Sequence, residues 1–319
     1  MSSSISIVTA CYNSVPFLDR IHGSLLKQTN RNFEWVCVDD VSKDDTVERL
    51  ITLEPPGELG MQVYRLPQNT GGPVALAVGT KVAKGEVVIW LDHDDELFPD
   101  ALENVRKHWS MVARGDGGLL LRASDPTSGV MIGRKLPEGA RLSWGEINAR
   151  YPDVHDATFV FRAEFLREFA SIERMEEINL NGAVFAELTR NHPMIVTNET
   201  ARFYHRDNPD SQTRVERVSR KSVATYARIF DGLGWHAALS PGRWTRHVVT
   251  MFRYSGLVYG RHGAALRHVR SWPRRALASL LLPLSLFVRY RNANEVLVDI
   301  PYFDPALAED LQDLRPAKP

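Results

Sequence analysis

The chain is short of cysteine, of long apolar runs and, in its C-terminal third, of acid. Its two cysteines among 319 residues, Cys11 and Cys37, both fall in apolar stretches near the N-terminus. That number and placement exclude a disulfide framework and a cysteine-based zinc site, and read as reduced packing residues of a cytosolic protein. The opening Met-Ser-Ser-Ser-Ile-Ser has no basic stretch and no long apolar run before the first motif, which argues against a secretory signal peptide. An apolar run at 276–288 has 13 residues and is interrupted by Pro283, short of the roughly 20 that a spanning helix needs. Lysine plus arginine equals aspartate plus glutamate, 39 each, yet no acid lies between Gly232 and Asn294, where ten arginines do. Such segregation implies an anionic partner for this region. Nucleic acid fits poorly, because no recognition motif accompanies the charge. Trp272, Arg274, Arg275, Arg289, Tyr290 and Arg291 bracket the apolar run, so that 272–291 suits peripheral contact with a bilayer interface, on the inner face of the plasma membrane. A buried core helix or a homo-oligomer contact is the alternative.

What the chain has is alternation. Strand patterns near 5–10, 34–38, 61–66 and 87–91 alternate with helix patterns near 15–28, 44–53 and 73–83. This predicts an α/β fold built on a mostly parallel sheet, with ligands bound beyond the carboxyl ends of the strands. Polar loops follow each strand: Tyr12-Asn13, then Asp39-Asp40, then Asn69-Thr70-Gly71-Gly72, then Asp92-His93-Asp94-Asp95. Further short strands are expected at 119–121, 130–131, 158–161 and 195–196, with helices at 163–169 and 183–191, and a helical, basic region from about 221.

The last of these loops carries three carboxylates within four residues, which raise one another's pKa unless a cation neutralises them. Mn²⁺ or Mg²⁺ suits such oxygen ligands and leaves positions for water and phosphate oxygens. A solvated turn capping a helix is the plainer alternative. His93 alternates away from both neighbouring acids and reads as structural.

These residues resemble the inverting glycosyltransferases of family 2. The likeness rests on Val-Thr-Ala-Cys-Tyr-Asn at 8–13, Val-Asp-Asp-Val-Ser-Lys-Asp-Asp-Thr at 38–46, Asn-Thr-Gly-Gly at 69–72, Ala-Lys-Gly-Glu at 83–86 and Leu-Asp-His-Asp-Asp-Glu-Leu at 91–97, and continues more weakly to Ser211. It implies a GT-A fold over 1–215, with a nucleotide-binding half at 1–110 and an acceptor half at 111–215, followed by a helical, arginine-rich region at 216–319. It also implies a nucleotide-sugar donor, UDP-linked, and a glycan or lipid-linked glycan acceptor. Thr9, Ala10, Tyr12, Asn13, Asp39, Asp40, Asn69, Gly71, Asp92 and Arg206 would bind the nucleotide. Tyr12 would stack on the base and Asp40 would receive a ring N–H, with Asp39 orienting the loop. Asp92, Asp94 and Asp95 would hold the metal, and His205, Arg206 and Arg214 would fold over the diphosphate.

Inversion needs a base for the acceptor hydroxyl, and a carboxylate suffices. The family supplies an acidic pair at a spacing that here falls near Asn181. The nearest pair is Glu176-Glu177, which makes Glu177 the first candidate, with Glu176 and Asp156 behind it. Where family members often carry Ala-Arg-Asn, this chain has Ala75-Leu76-Ala77, which removes contacts to the nucleotide-sugar. A catalytically degenerate glycan-binding or scaffold protein is therefore the alternative. A nucleotidyltransferase is less favoured, because no Gly-rich phosphate loop follows the first strand.

Overall fold

The computed structural model describes residues 4–154, 156–208, 216–232, 241–287, 295–298 and 300–315. Four strands lead: β1 (Ile5–Cys11), β2 (Phe33–Asp39), β3 (Gly60–Arg65) and β4 (Val87–Trp90), joined by helices α1 (Val15–Leu26), α2 (Thr46–Thr52) and α3 (Gly72–Val82). They pair in parallel in the order β3-β2-β1-β4. Helices cover both faces, so the strands are mostly apolar, and every residue of β2 is buried, Glu34 and Asp39 included. Chain order reverses between β1 and β4, the place where open α/β sheets form a ligand crevice. Gly79 of α3 sits where a Cβ would meet Val8 Cγ1 at 2.3 Å, so its lack of a side chain sets how closely α3 lies on β1.

Beyond β4 the sheet becomes mixed. It is extended by β5 (Glu96–Leu97), β6 (Gly118–Ser124), β7 (Arg141–Leu142), β8 (Ala157–Arg162) and β9 (Met194–Phe203). β8 lies antiparallel between β4 and β6, β9 runs parallel to β6, and β5 and β7 pair antiparallel with β9. The strand expected at 130–131 is reduced to one bridge between Ser124 and Met131. The helices here are α4 (Ala101–Trp109), α5 (Trp144–Arg150), α6 (Ala163–Phe169), α7 (Ile172–Glu176) and α8 (Gly182–Asn191). One apolar core fills each face of the sheet.

The C-terminal region has its own core, built from α9 (Arg220–Gly232), α10 (Pro241–Tyr259), a 3₁₀ segment at His262–His268, α11 (Trp272–Ser279) and α12 (Leu282–Phe287). The chain then returns to the sheet. Phe303 is fully buried in the first core, and Asp313 and Leu314 bond the backbone of Val63 on edge strand β3, at 2.9 and 2.8 Å. Among the described residues no helix is long and apolar enough to cross a membrane. Ser211, Arg214 and 288–291 lie outside the described residues.

Candidate functional site

The loops after β1, β2 and β3 are knitted together by side chain to backbone bonds. Asn13 adopts a positive φ of 51°, which a short polar side chain tolerates. Its N–H donates to Ser42 Oγ at 2.9 Å, and its Oδ1 accepts from Lys43 N at 2.9 Å. Thr9 is buried and its hydroxyl accepts from the Trp35 indole, a packing contact rather than a ligand-facing one. Ala10 and Tyr12 are half-buried at the strand end.

Asp39 is fully buried and binds Ser42 through both its N–H and its hydroxyl, with Arg65 at 3.5 Å. Burial raises its pKa, and the Ser42 bonds and Arg65 oppose that. These bonds tie it to Ser42 of the loop that follows β2. Asp40 is buried too, and its carboxylate accepts from Thr70 N at 2.7 Å, Gly71 N at 2.8 Å and Thr70 Oγ1 at 3.2 Å. Asn69 donates to the Asp40 carbonyl at 2.7 Å, and Gly71 takes a φ of 91° that suits glycine. Three of about four acceptor positions on Asp40 are thus used by the 69–72 loop, leaving one for a ligand donor. Burial, outweighing these bonds, pushes the Asp40 carboxyl up to about 6.

The acidic loop divides its carboxylates between two environments. Asp95 is enclosed: Oδ2 meets the Arg202 guanidinium and Oδ1 accepts from His205 N at 2.9 Å. Burial, opposed by Arg202 and reinforced by Asp92 and Asp94, pushes its pKa well up. Asp92 opens to the crevice with 60% of its side chain exposed and lies 3.5 Å from Arg202. Protein walls on its other sides raise its pKa, again against Arg202. Asp94 is half-buried and its Oδ2 accepts from Asn208 at 2.8 Å. The expectation of a three-carboxylate metal site is corrected here: Asp95 faces protein, and among the described residues no three His, Cys, Asp or Glu side chains converge on a metal position. Asp92 and Asp94 are the pair whose oxygens fit a divalent cation that keeps waters or phosphate oxygens as its remaining ligands.

Arg202, absent from the sequence expectations, organises this corner. One guanidinium nitrogen meets Asp95 and another meets Asp156, while its plane lies over the Tyr204 ring. Burial works against its charge, but Asp156, Asp95 and Asp92 hold it protonated above its ordinary range. Nothing local marks it in the sequence, because the preceding Thr197-Asn198-Glu199-Thr200 of β9 is polar as well. Segment 204–208 then folds over the acidic loop. His205 Nε2 lies 3.1 Å from Glu96, Asn208 Nδ2 lies 3.4 Å from His93, and Arg20 on α1 binds the Asp94 carbonyl and Asp207. His93 Nδ1 is 3.1 Å from the Ala10 carbonyl, the structural role expected of it. Arg206 is exposed, its guanidinium 5.4 Å from the Tyr204 ring centroid.

The expected base does not join this group. Glu177 follows α7, is 59% exposed and has Arg228 of α9 at 4.0 Å, so it faces the C-terminal helices. Glu176 is buried in an ion pair with Lys221 at 2.9 Å. Asn181, at the position the spacing indicated, is the N-cap of α8, and its Oδ1 is buried without a hydrogen-bond partner among the described residues. Asp156 is different. β4 and β8 pair Ile89 with Val160, so extending that register sets residue 157 opposite residue 92 and puts Asp156 beside the acidic loop.

A family model described as glycosyl transferase family 2 matches residues 6–167. Over 100 residues the chain is 34% identical to an uncharacterized glycosyltransferase of Rickettsia prowazekii, a match that covers 31% of this chain and 30% of that one. Over 114 residues it is 35% identical to the poly(ribitol-phosphate) β-N-acetylglucosaminyltransferase TarS of Staphylococcus aureus, covering 34% of this chain and 20% of TarS. The matched stretch thus spans less than a third of these relatives' own length. In three dimensions the chain is similar to S. aureus TarS, with a TM-score of 0.54 at 17% identity, covering 90% of this chain and 52% of that one. It is also similar to TarS 1–349 in complex with UDP-GlcNAc, with a TM-score of 0.53 at 15% identity over 94% and 99%. At such identity the likeness is one of fold.

Proposed function

The chain belongs to glycosyl transferase family 2 and has a GT-A type α/β fold, and we propose that it transfers a sugar from a UDP-linked donor, with inversion, to a hydroxyl of a glycan or lipid-linked glycan. The observation that carries this reading is the division within the acidic loop. Arg202 and His205 N hold Asp95 inside the protein, which fixes Asp92 and Asp94 at the mouth of the crevice between β1 and β4. Tyr12 and the loop clamped by Asp40 form the other wall, where a base stacks on the ring and meets the remaining Asp40 acceptor position.

Mn²⁺ or Mg²⁺ held by Asp92 and Asp94 would stabilise charge on the departing diphosphate. Arg206, exposed beside the acidic loop, suits the diphosphate oxygens. Of the three carboxylates considered as base, Asp156 is the one beside the acidic loop, and we assign it that role. Transfer of the acceptor proton to Asp156 would accompany attack at the anomeric carbon.

A degenerate, sugar-binding version of the fold is favoured by one observation, the amide at Asn181, which cannot accept a proton as a base does. Calorimetric titration with UDP, GDP and dTDP, each with and without Mn²⁺, tests the donor site. Metal-dependent binding of UDP that Asp94→Ala abolishes is the expected result, and absence of binding by all three nucleotides would overturn the reading. Slow hydrolysis of bound UDP-sugar, lost in Asp156→Asn and kept in Glu177→Gln, separates an enzyme from a binding protein.

A further inference from the structure

The C-terminal helices carry an apolar face on the wrong side. In α11 and the residue that caps it, Trp272, Ala276 and Leu280 fall at i, i+4 and i+8, and Pro273 and Leu277 at i and i+4, so all five lie on one face. That face is exposed: Trp272 is 78% and Leu280 74% accessible, and Leu284 of α12 continues it. Inward, the same helix places Ala278, fully buried, and Arg274. An amphipathic helix with its apolar side outward marks a surface that something else covers.

Beside the start of α11 lies a cavity of about 560 Å³ lined by arginines from separate elements. Glu187 is held in a fork by Arg228, at 2.6 and 3.0 Å, which leaves Arg174 and Arg270 3.9 Å from it. Asp231 has Arg274 at 3.5 Å, and its carbonyl accepts from Arg190. Four arginines, Arg174, Arg190, Arg270 and Arg274, therefore line the cavity with two carboxylates, one of which is already paired to Arg228. Burial pushes the Glu187 carboxyl up, yet these cations keep it below the ordinary range, a sign of local positive surplus. The sequence supplies no acid from Gly232 to Asn294 to offset it.

We propose that α11 and α12 dock on an anionic membrane, their apolar face set into the bilayer interface and the Arg174–Arg270–Arg274 cavity taking the phosphate of an anionic lipid. A second copy of the chain is the competing cover for this face, but it would bring two arginine-rich surfaces together. An anionic lipid surface instead complements both the apolar ridge and the charge. The surface also lies away from the donor crevice. α8 ends just before Met194, which pairs with Gly118, and Gly118 in turn pairs with Phe161 near the start of β4. Arg190 thus sits at the end of the sheet opposite Asp92, and the inference does not depend on the donor assignment.

Flotation of the full chain with vesicles of phosphatidylcholine, alone or mixed with phosphatidylglycerol, at low and high salt, tests it. Binding is expected to the mixed vesicles alone and to weaken with salt. Leu280→Glu and the milder Trp272→Ser should each reduce it by about tenfold or more, and Arg270→Glu should abolish the preference for phosphatidylglycerol. Melting should be unchanged in Leu280→Glu and Trp272→Ser, and nucleotide titration in all three variants. Equal binding to both vesicle types, binding to neither, or binding indifferent to these variants would overturn the proposal. So would sedimentation of the chain as a dimer that Leu280→Glu disperses, or saturable binding of inorganic phosphate by a chain that never floats.

Discussion

Lys221 reaches out of the C-terminal helices to donate to the Thr70 carbonyl at 3.1 Å. The same buried ammonium pairs with Glu176 at 2.9 Å, and Thr70 in turn binds Asp40. The placement runs against local electrostatics, since Lys221 lies in the first turn of α9, where a helix disfavours positive charge. Burial lowers its pKa, and Glu176 opposes that. The C-terminal helices therefore help to shape the loop that walls the donor crevice.

Replacing that ammonium with an apolar group leaves Glu176 buried and unpaired. Lys221→Met should cost about 3–5 kcal/mol, and Lys221→Met/Glu176→Gln should regain most of it. Chemical denaturation of the two variants checks this, and nucleotide titration of the double variant should show weaker binding through the loosened 70–71 loop.

The two environments in the acidic loop predict opposite phenotypes. Asp95→Ala leaves Arg202 partly uncompensated and should lose about 3–5 kcal/mol. Asp94→Ala should melt within about 0.5 kcal/mol of the parent while losing metal-dependent nucleotide binding. Thermal melts and calorimetry on both proteins distinguish the roles, and equal melting temperatures would remove the division on which the site rests.

The first hundred residues were legible because each signal was local: period-2 and period-3.6 patterns gave the strands and helices, and turn chemistry marked the strand ends. Arg202, Arg20, Asn208 and Lys221 were not legible. Their partners lie 45 to 187 residues away, and nothing in the spacing of one chain says that β9 will bring an arginine under the β4 loop. The same cause misdirected the expectation at Glu177. An acidic pair looked catalytic in sequence, but the end of α7 sends Glu176 into an ion pair with Lys221 and Glu177 toward α9. A divalent cation was the natural neutraliser of three aspartates within four residues, and a guanidinium from β9 takes part of that task.

Asp40 gives a pH dependence whose sign follows from its burial. Its folded pKa of about 6 lies above the 3.8 of a free side chain, so the folded state holds the proton more tightly. Its contribution to stability is greatest below about pH 4 and is lost as pH rises through 6, about 3 kcal/mol in all. Relative to Asp40→Asn, the parent should gain stability between pH 7 and pH 5, measured by urea unfolding at each pH. A constant difference would show that Asp40 does not titrate in this range.

Gly79 offers a test of the packing behind the crevice. A methyl group there would press into Val8 Cγ1, so Gly79→Ala should destabilise the protein by about 1–3 kcal/mol despite the better helix propensity of alanine. A stabilised variant would mean that α3 lies further from β1 than described.

The return of residues 313–315 to β3 has a consequence for the order of synthesis. Val63 waits for a partner 250 positions later in the chain, so the first four strands emerge from the ribosome with one sheet margin unsealed. An open strand margin is a template for pairing with other chains, and this one persists until residues 313–315 have been made. Clipping residues 313–315 should therefore leave the crevice residues in place and open the β3 margin to pairing between copies of the chain.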